Sequence, residues 1–173
     1  MSRKSWSATR RWLEEEMLCP ALRCRVRYHC TKYPGMDGAG LFGIFVDGKV
    51  VHRFSMKTVA AERYPNLDEA DKGEWLDRWY RGFWRGYWNE MENTPTAERR
   101  EFDDGEFAAA LEKYRAIPIA EALTDEHPIV RMFAILDRRV GKRTLQTIRD
   151  ALDAQPDWVK PFVLLRLEAE NML

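Results

Sequence analysis

The densest group of cations in the chain lies in residues 137–143, DRRVGKR, which hold Arg138, Arg139, Lys142 and Arg143. Such a run can serve as an anion site. Gly141 leaves room for a phosphate, and a helix starting there aims backbone N–H groups at an anion near Lys142, Arg143 and Thr144. It can equally be a helix–corner–helix junction, with arginines paired to Asp137, Asp150 or Glu168 and long stems laid over apolar surface. The run lacks the full Gly-x-x-x-x-Gly-Lys-[Ser/Thr] loop, so a nucleoside triphosphate site is disfavoured.

A second group is Trp75, Trp79, Trp84 and Trp88 with Arg78, Arg81 and Arg85. Alternating rings and cations make stacking platforms for single-stranded nucleic acid. Aromatic residues at helical spacing also build cores, and tryptophan, tyrosine and arginine anchor protein–protein contacts. Core and interface outrank nucleic acid here, and these seven residues are the candidate protein interface. A third group, His29 and His52 with Arg25 and Arg27, would make an acid–base site with anion clamps if neighbouring strands bring the imidazoles together. No spacing places a nucleophile or an orienting carboxylate beside them; the other reading is two ordinary strand histidines, and no catalytic residue is assigned. His127 caps or precedes a helix. Three histidines and three cysteines without ligand spacing give no metal site, and no cofactor is expected. Acidic runs at 14–16 and 103–104 read as solvated faces or helix starts.

These groups need elements to carry them. Ser5 or Ser7 can cap a helix reaching Leu18, with Trp6, Leu13 and Met17 apolar and Pro20 closing it. Residues 24–33 alternate, Val26, Tyr28 and Cys30 on one side, Arg25, Arg27, His29 and Thr31 on the other, as in a half-buried strand. Residues 34–40 are loop by composition. Residues 41–54, LFGIFVDGKVVHRF, suit a hairpin turning at Asp47-Gly48, which would set Val46 opposite Lys49, Ile44 opposite Val51 and Gly43 opposite His52. Both faces carry large apolar groups, so both should be partly covered. Residues 67–92 read as one long helix capped by Asp68, apolar over more than half its circumference, with Arg78, Arg81 and Arg85 in a narrow stripe. Gly82 and Gly86 within it suggest a close approach by the hairpin or another subunit. After a loop over 93–101, a helix from Asp103 or Asp104 leads through Ile117-Pro118 to a short helix near Leu123.

The tail repeats itself. Displacing residues 121–170 by about 29 positions lays Ala122 on Ala151, Leu123 on Leu152, Val130 on Val159, Arg131 on Lys160, Phe133 on Phe162 and Leu136 on Leu165. Each copy is a helix end, a polar corner (124–127, then 153–155) and an amphipathic helix; Gly141 ends one helix, and Pro156 opens the last. Such units resemble HEAT-type repeats, and two are too few to stand alone, so the pair should pack on the rest of the chain.

The architecture expected is α+β: one domain over 1–173, with a small antiparallel sheet in 1–58, the aromatic helix 67–92, and a HEAT-like pair in 103–173. Lysines plus arginines number 28 and acids 28, so net charge offers no argument for nucleic acid. The start is basic (Arg3, Lys4, Arg10, Arg11, Arg23, Arg25, Arg27, Lys32), and residues 62–106 are dominated by acids. Cys19, Cys24 and Cys30, with no secretion signal, read as reduced thiols in a cytoplasmic protein. No apolar run approaches the roughly 20 residues that span a bilayer.

The chain also resembles a family of uncharacterised bacterial proteins. The residues that carry the likeness are Leu-Cys-Pro at 18–20, the arginine-rich strand at 25–29, Val-Asp-Gly at 46–48, Leu-Asp-Arg-Arg-Val-Gly-Lys-Arg at 136–143 and Arg-x-Glu-Ala-Glu at 166–170. The likeness is most specific at 136–143 and does not extend to 67–92. It implies a fold and a bacterial source, without an activity. The function expected is therefore a cytoplasmic interaction protein, such as an adaptor or an immunity protein, whose partner is another protein or itself. The alternative is nucleic-acid or phosphate binding through Arg138, Arg139, Lys142 and Arg143.

Overall fold

The computed structural model describes residues 5–32, 40–54 and 93–173. The long aromatic helix expected over 67–92, with its four tryptophans and three arginines, lies outside the described residues. Ser5 caps α1 (Trp6–Arg11), its hydroxyl accepting from the Ala8 amide at 3.3 Å. The helix then widens into a π turn, Trp12–Met17, in which the Leu18 amide reaches back five residues to the Leu13 carbonyl at 3.1 Å. A short 3-10 turn, Pro20–Leu22, ends it.

The sheet is an antiparallel meander, β1 (Val26–Lys32), β2 (Gly40–Val46) and β3 (Lys49–Phe54), in the order β1-β2-β3. Asp47 and Gly48 turn the hairpin with φ of 50° and 77°, the positive values a two-residue turn demands. Val46 pairs with Lys49 as expected, but the register then slips: Phe45 pairs with Val50 and Ile44 with His52, leaving Val51 as the extra residue of a bulge. The expected pairs Ile44–Val51 and Gly43–His52 are therefore replaced by Ile44–His52 and Gly43–Arg53. The inner face buries Val26, Tyr28, Ile44 and Phe54. The outer face is more open than expected, with Arg27, His29, Val50 and Arg53 exposed.

Asp103 starts α2 (Asp104–Ala116) with a reciprocal capping box, accepting from the Glu106 amide at 2.8 Å while Glu106 accepts from the Asp103 amide at 2.9 Å. Pro118 separates it from α3 (Ile119–Ala122), and His127 caps α4 (Pro128–Leu136), its Nδ1 accepting from the Ile129 amide at 3.3 Å. Then come α5 (Lys142–Asp150) and α6 (Lys160–Ala169). The repeat departs from expectation at both its glycine and its proline. α4 already ends at Leu136, and Gly141 is the N-cap of α5. Pro156 lies ahead of α6, its carbonyl accepting from the Val159 and Lys160 amides, and Pro161 takes the first-turn position instead. Of the matched apolar positions, Val130 and Val159, and Phe133 and Phe162, are all buried, whereas Ala122 is buried and Ala151 exposed.

α4 is central, packing against α2, α3 and α6, with every residue but Arg131 buried. Aromatic rings join it to the sheet: Phe42 stacks on Phe107 at 4.8 Å, Phe107 meets Phe133 at 5.6 Å, and Tyr28 meets Phe133 at 6.1 Å. Among the described residues, one apolar cluster thus runs from Leu13 and Met17 through Tyr28 and Ile44 to Met132, Phe133 and Phe162. Each such side chain contributes roughly 1.5–3 kcal/mol when fully buried. The described part is an α+β fold whose tail helices close over the front helix and sheet.

Candidate functional site: the corner after α4

The polar side chains that gather most densely do so where α4 stops. Leu18 and Asp137 form an isolated antiparallel bridge, with the Cys19 amide on the Leu136 carbonyl at 3.0 Å and the Arg138 amide on the Met17 carbonyl at 2.9 Å. The Leu-Cys-Pro segment is thereby stitched to the DRRVGKR corner by backbone alone.

Asp137 is 2% exposed, and its carboxylate is fully engaged. Its Oδ1 accepts from the Arg139 amide at 2.7 Å, and its Oδ2 from Arg139 Nε and Nη2 at 3.0 and 2.7 Å and from the Tyr114 hydroxyl. Burial, and then the bond to Asp137, push the Tyr114 hydroxyl well above its ordinary range, so the phenol keeps its proton and donates. The bond to Asp137 holds Arg139 charged.

From α6, the buried Arg166 aims its guanidinium into the same corner. Its Nη1 reaches the Leu136 carbonyl at 3.4 Å, its Nη2 the Val140 carbonyl at 2.9 Å, and Glu170 lies 3.2 Å away. A cation at the carbonyl end of α4 also meets the negative pole of that helix. On the surface nearby, Arg25 bonds Asp47 of the hairpin turn at 2.8 and 3.0 Å and Glu168 of α6 at 3.4 Å.

Of the four cations expected to form an anion site, Arg139 turns inward to Asp137. Arg138, Lys142 and Arg143 are exposed, and no carboxylate pairs with them among the described residues. The other acids expected as partners are used elsewhere, Asp150 with Arg149 and Glu168 with Arg25. The histidine pair is not assembled. The bulge sets His52 on the inner face beside Ile44, where its Nε2 accepts from the Trp158 indole at 3.2 Å. His29 pairs with Gly43 on the outer face and meets the Thr31 hydroxyl at 2.6 Å. Arg27 is held by Glu14 at 2.8 Å. His127, pressed by burial and secondarily by the Arg99 charge, has its pKa lowered to about 4, which keeps it a neutral hydrogen-bond acceptor.

Beside the corner lies a cleft of about 230 Å³ between the π turn, the end of α2 and residues 137–139. Trp12 forms one wall, with the Arg115 guanidinium over its ring at 4.5 Å; Arg138 and Arg139 form another. Sequence reasoning missed this cleft, with Tyr114 and Arg115 in its lining, and missed Arg166 as the cation of the adjoining corner. The available signal was Arg166 itself, a charge set between Leu165 and Leu167 in an otherwise apolar helix turn. Among the described residues, no group of three or more His, Cys, Asp or Glu could hold a metal ion, and no helix is long and apolar enough to cross a membrane.

The model of the SF0329 protein family matches residues 5–167. The chain belongs to that family. No curated protein and no solved structure matches it. The match spans both sides of the corner, so in this SF0329 protein the front helix, the sheet and the tail helices fall within one family unit.

Proposed function

We propose that the protein is a non-enzymatic recognition module of the adaptor or immunity-protein kind, acting in the cytoplasm by binding another protein or a second copy of itself. What supports this reading is how the described polar groups are committed. Asp137, Tyr114, Arg139, Arg166 and Glu170 close on one another and on backbone carbonyls as a structural joint. Apolar side chains meanwhile stay in solvent on β3, with Val50 and Val51 exposed by 40% and 43%. Tryptophan and arginine concentrated at 75–88 supply the residue types that anchor interfaces. The bulge at Val51, with Lys49 and Arg53 beside it, discourages strand-to-strand addition at β3, so docking uses side-chain faces. The test is sedimentation of the intact chain over a wide concentration range, together with affinity capture using wild type and a Trp79→Ala/Trp88→Ala variant. A stoichiometric complex or self-association that the variant loses while keeping its circular dichroism supports the reading. A chain that stays monomeric and captures no stoichiometric partner overturns it.

A second reading, polyanion binding, is favoured by one observation: Arg138, Lys142 and Arg143 share one exposed corner without acidic partners among the described residues. Affinity for a single-stranded oligonucleotide would then fall steeply with salt and fall again in Lys142→Gln/Arg143→Gln. Absent or salt-independent binding dismisses it.

A further inference from the structure

We infer that the cleft beside the corner binds a small organic anion, a carboxylate or phosphate monoester that carries a flat or apolar group. The site is independent of the interaction reading and shares only Arg138 with the polyanion reading.

Three features converge on it. The first is shape: at about 230 Å³ the cleft is below the usual span of drug-sized pockets, roughly 300–1,000 Å³, and suits a small metabolite. The second is its backbone. The wall formed by Trp12 and Met17 comes from the π turn, a rare geometry that recurs at functional sites and whose wider winding brings residues four and five apart onto one side.

The third is charge. Arg139 spends Nε and Nη2 on Asp137 and the Tyr114 hydroxyl, and neither its Nη1 nor the Arg138 guanidinium has a partner among the described residues. Arg115 uses Nη1 on Glu112 at 3.2 Å, an acid whose side chain is 75% exposed, and sits over the Trp12 ring at 4.5 Å. Three guanidinium groups thus border a cleft whose acids are Asp137, already fully engaged, and Glu16, which is exposed. A planar carboxylate or a phosphate matches guanidinium forks. The apolar wall of Trp12, Met17 and Ile117 takes the remainder of the ligand.

The experiment is a titration of the intact ¹⁵N-labelled chain, following the Trp12 indole N–H resonance, assigned with Trp12→Phe. The probes are phenyl phosphate, benzoate, inorganic phosphate and benzyl alcohol. The expected result is a saturable shift with phenyl phosphate or benzoate, a weaker one with inorganic phosphate and none with benzyl alcohol. Arg138→Gln, an exposed position, should weaken binding by about tenfold, the loss of one charge-assisted contact. Lys142→Gln/Arg143→Gln should leave it unchanged. No saturable shift, an equal response to benzyl alcohol, or equal loss in the Lys142/Arg143 variant would overturn the site. A shift with a single-stranded oligonucleotide titrated in parallel, and none with phenyl phosphate or benzoate, would also overturn it, assigning the arginines to a polyanion.

Discussion

Replacing Arg166 by methionine should destabilise the protein far more than removing any surface ion pair. The buried guanidinium is the donor to the Val140 carbonyl, whereas the Leu136 carbonyl also keeps the Cys19 amide. Arg166→Met therefore strands one buried acceptor fully, at a cost of about 1–3 kcal/mol. Loss of the positive charge at the end of α4 and of the Glu170 pair adds about 1 kcal/mol. Against this, Arg166 Nε is buried with no hydrogen-bond partner, and removing it recovers part of the desolvation cost, about 1 kcal/mol. The net expectation is a loss of about 1–3 kcal/mol. Arg25→Gln provides the contrast: its partners Asp47 and Glu168 have side chains 53% and 55% exposed. Solvent screening leaves those exposed pairs little to contribute. Urea denaturation at pH 7, read as a change in midpoint at constant slope, separates the two. An Arg166→Met protein within about 0.5 kcal/mol of wild type, or an Arg25→Gln loss as large, would refute the reasoning that the corner is held from α6.

Acidification should weaken the fold through His127. Its folded pKa lies near 4 and its unfolded value near 6.5, so the unfolded chain takes up the proton first and stability falls as pH drops between those values. Between pH 7 and 5 the loss is up to about 2 kcal/mol; His127→Asn, which keeps a cap acceptor for the Ile129 amide, should remove that share from denaturation curves measured across this range. Gly48→Val should cost about 1–2 kcal/mol in the same assay, because φ there is +77°. No atom lies within 4 Å of an added Cβ, so the whole cost is backbone conformation. Asp137→Asn should lower stability by about 1–3 kcal/mol, by disrupting the acceptor set shared by Tyr114 and Arg139.

What could be read from the chain followed from local rules. Asp47-Gly48 marks a two-residue turn by backbone preference, Asp103 marks a helix start, and Val26, Tyr28 and Cys30 alternate as a strand with one buried side. The bulge was not readable, because Val50 and Val51 are both β-branched and apolar and serve either register equally well. That single residue decides the face on which His52 lies, and with it the fate of the proposed histidine pair. The DRRVGKR run was recognisable as a junction, and Asp137 as a partner of its arginines, since they are neighbours in sequence. Arg166, Tyr114 and Trp12 reach the corner from helices distant in the chain, and their arrival depends on how α2 and α6 pack on α4 and how the π turn meets α2.

The tail and the front half of the protein are closed together at this corner. Native-state amide exchange of Cys19 and Arg138, whose N–H groups bond across it to Leu136 and Met17, reads that closure directly. The account predicts that both amides exchange only with global unfolding, at the same free energy and denaturant dependence as the Phe133 amide within α4. Exchange about 2 kcal/mol or more easier than Phe133, with a shallower denaturant slope, would mean that the tail undocks separately, and would contradict it.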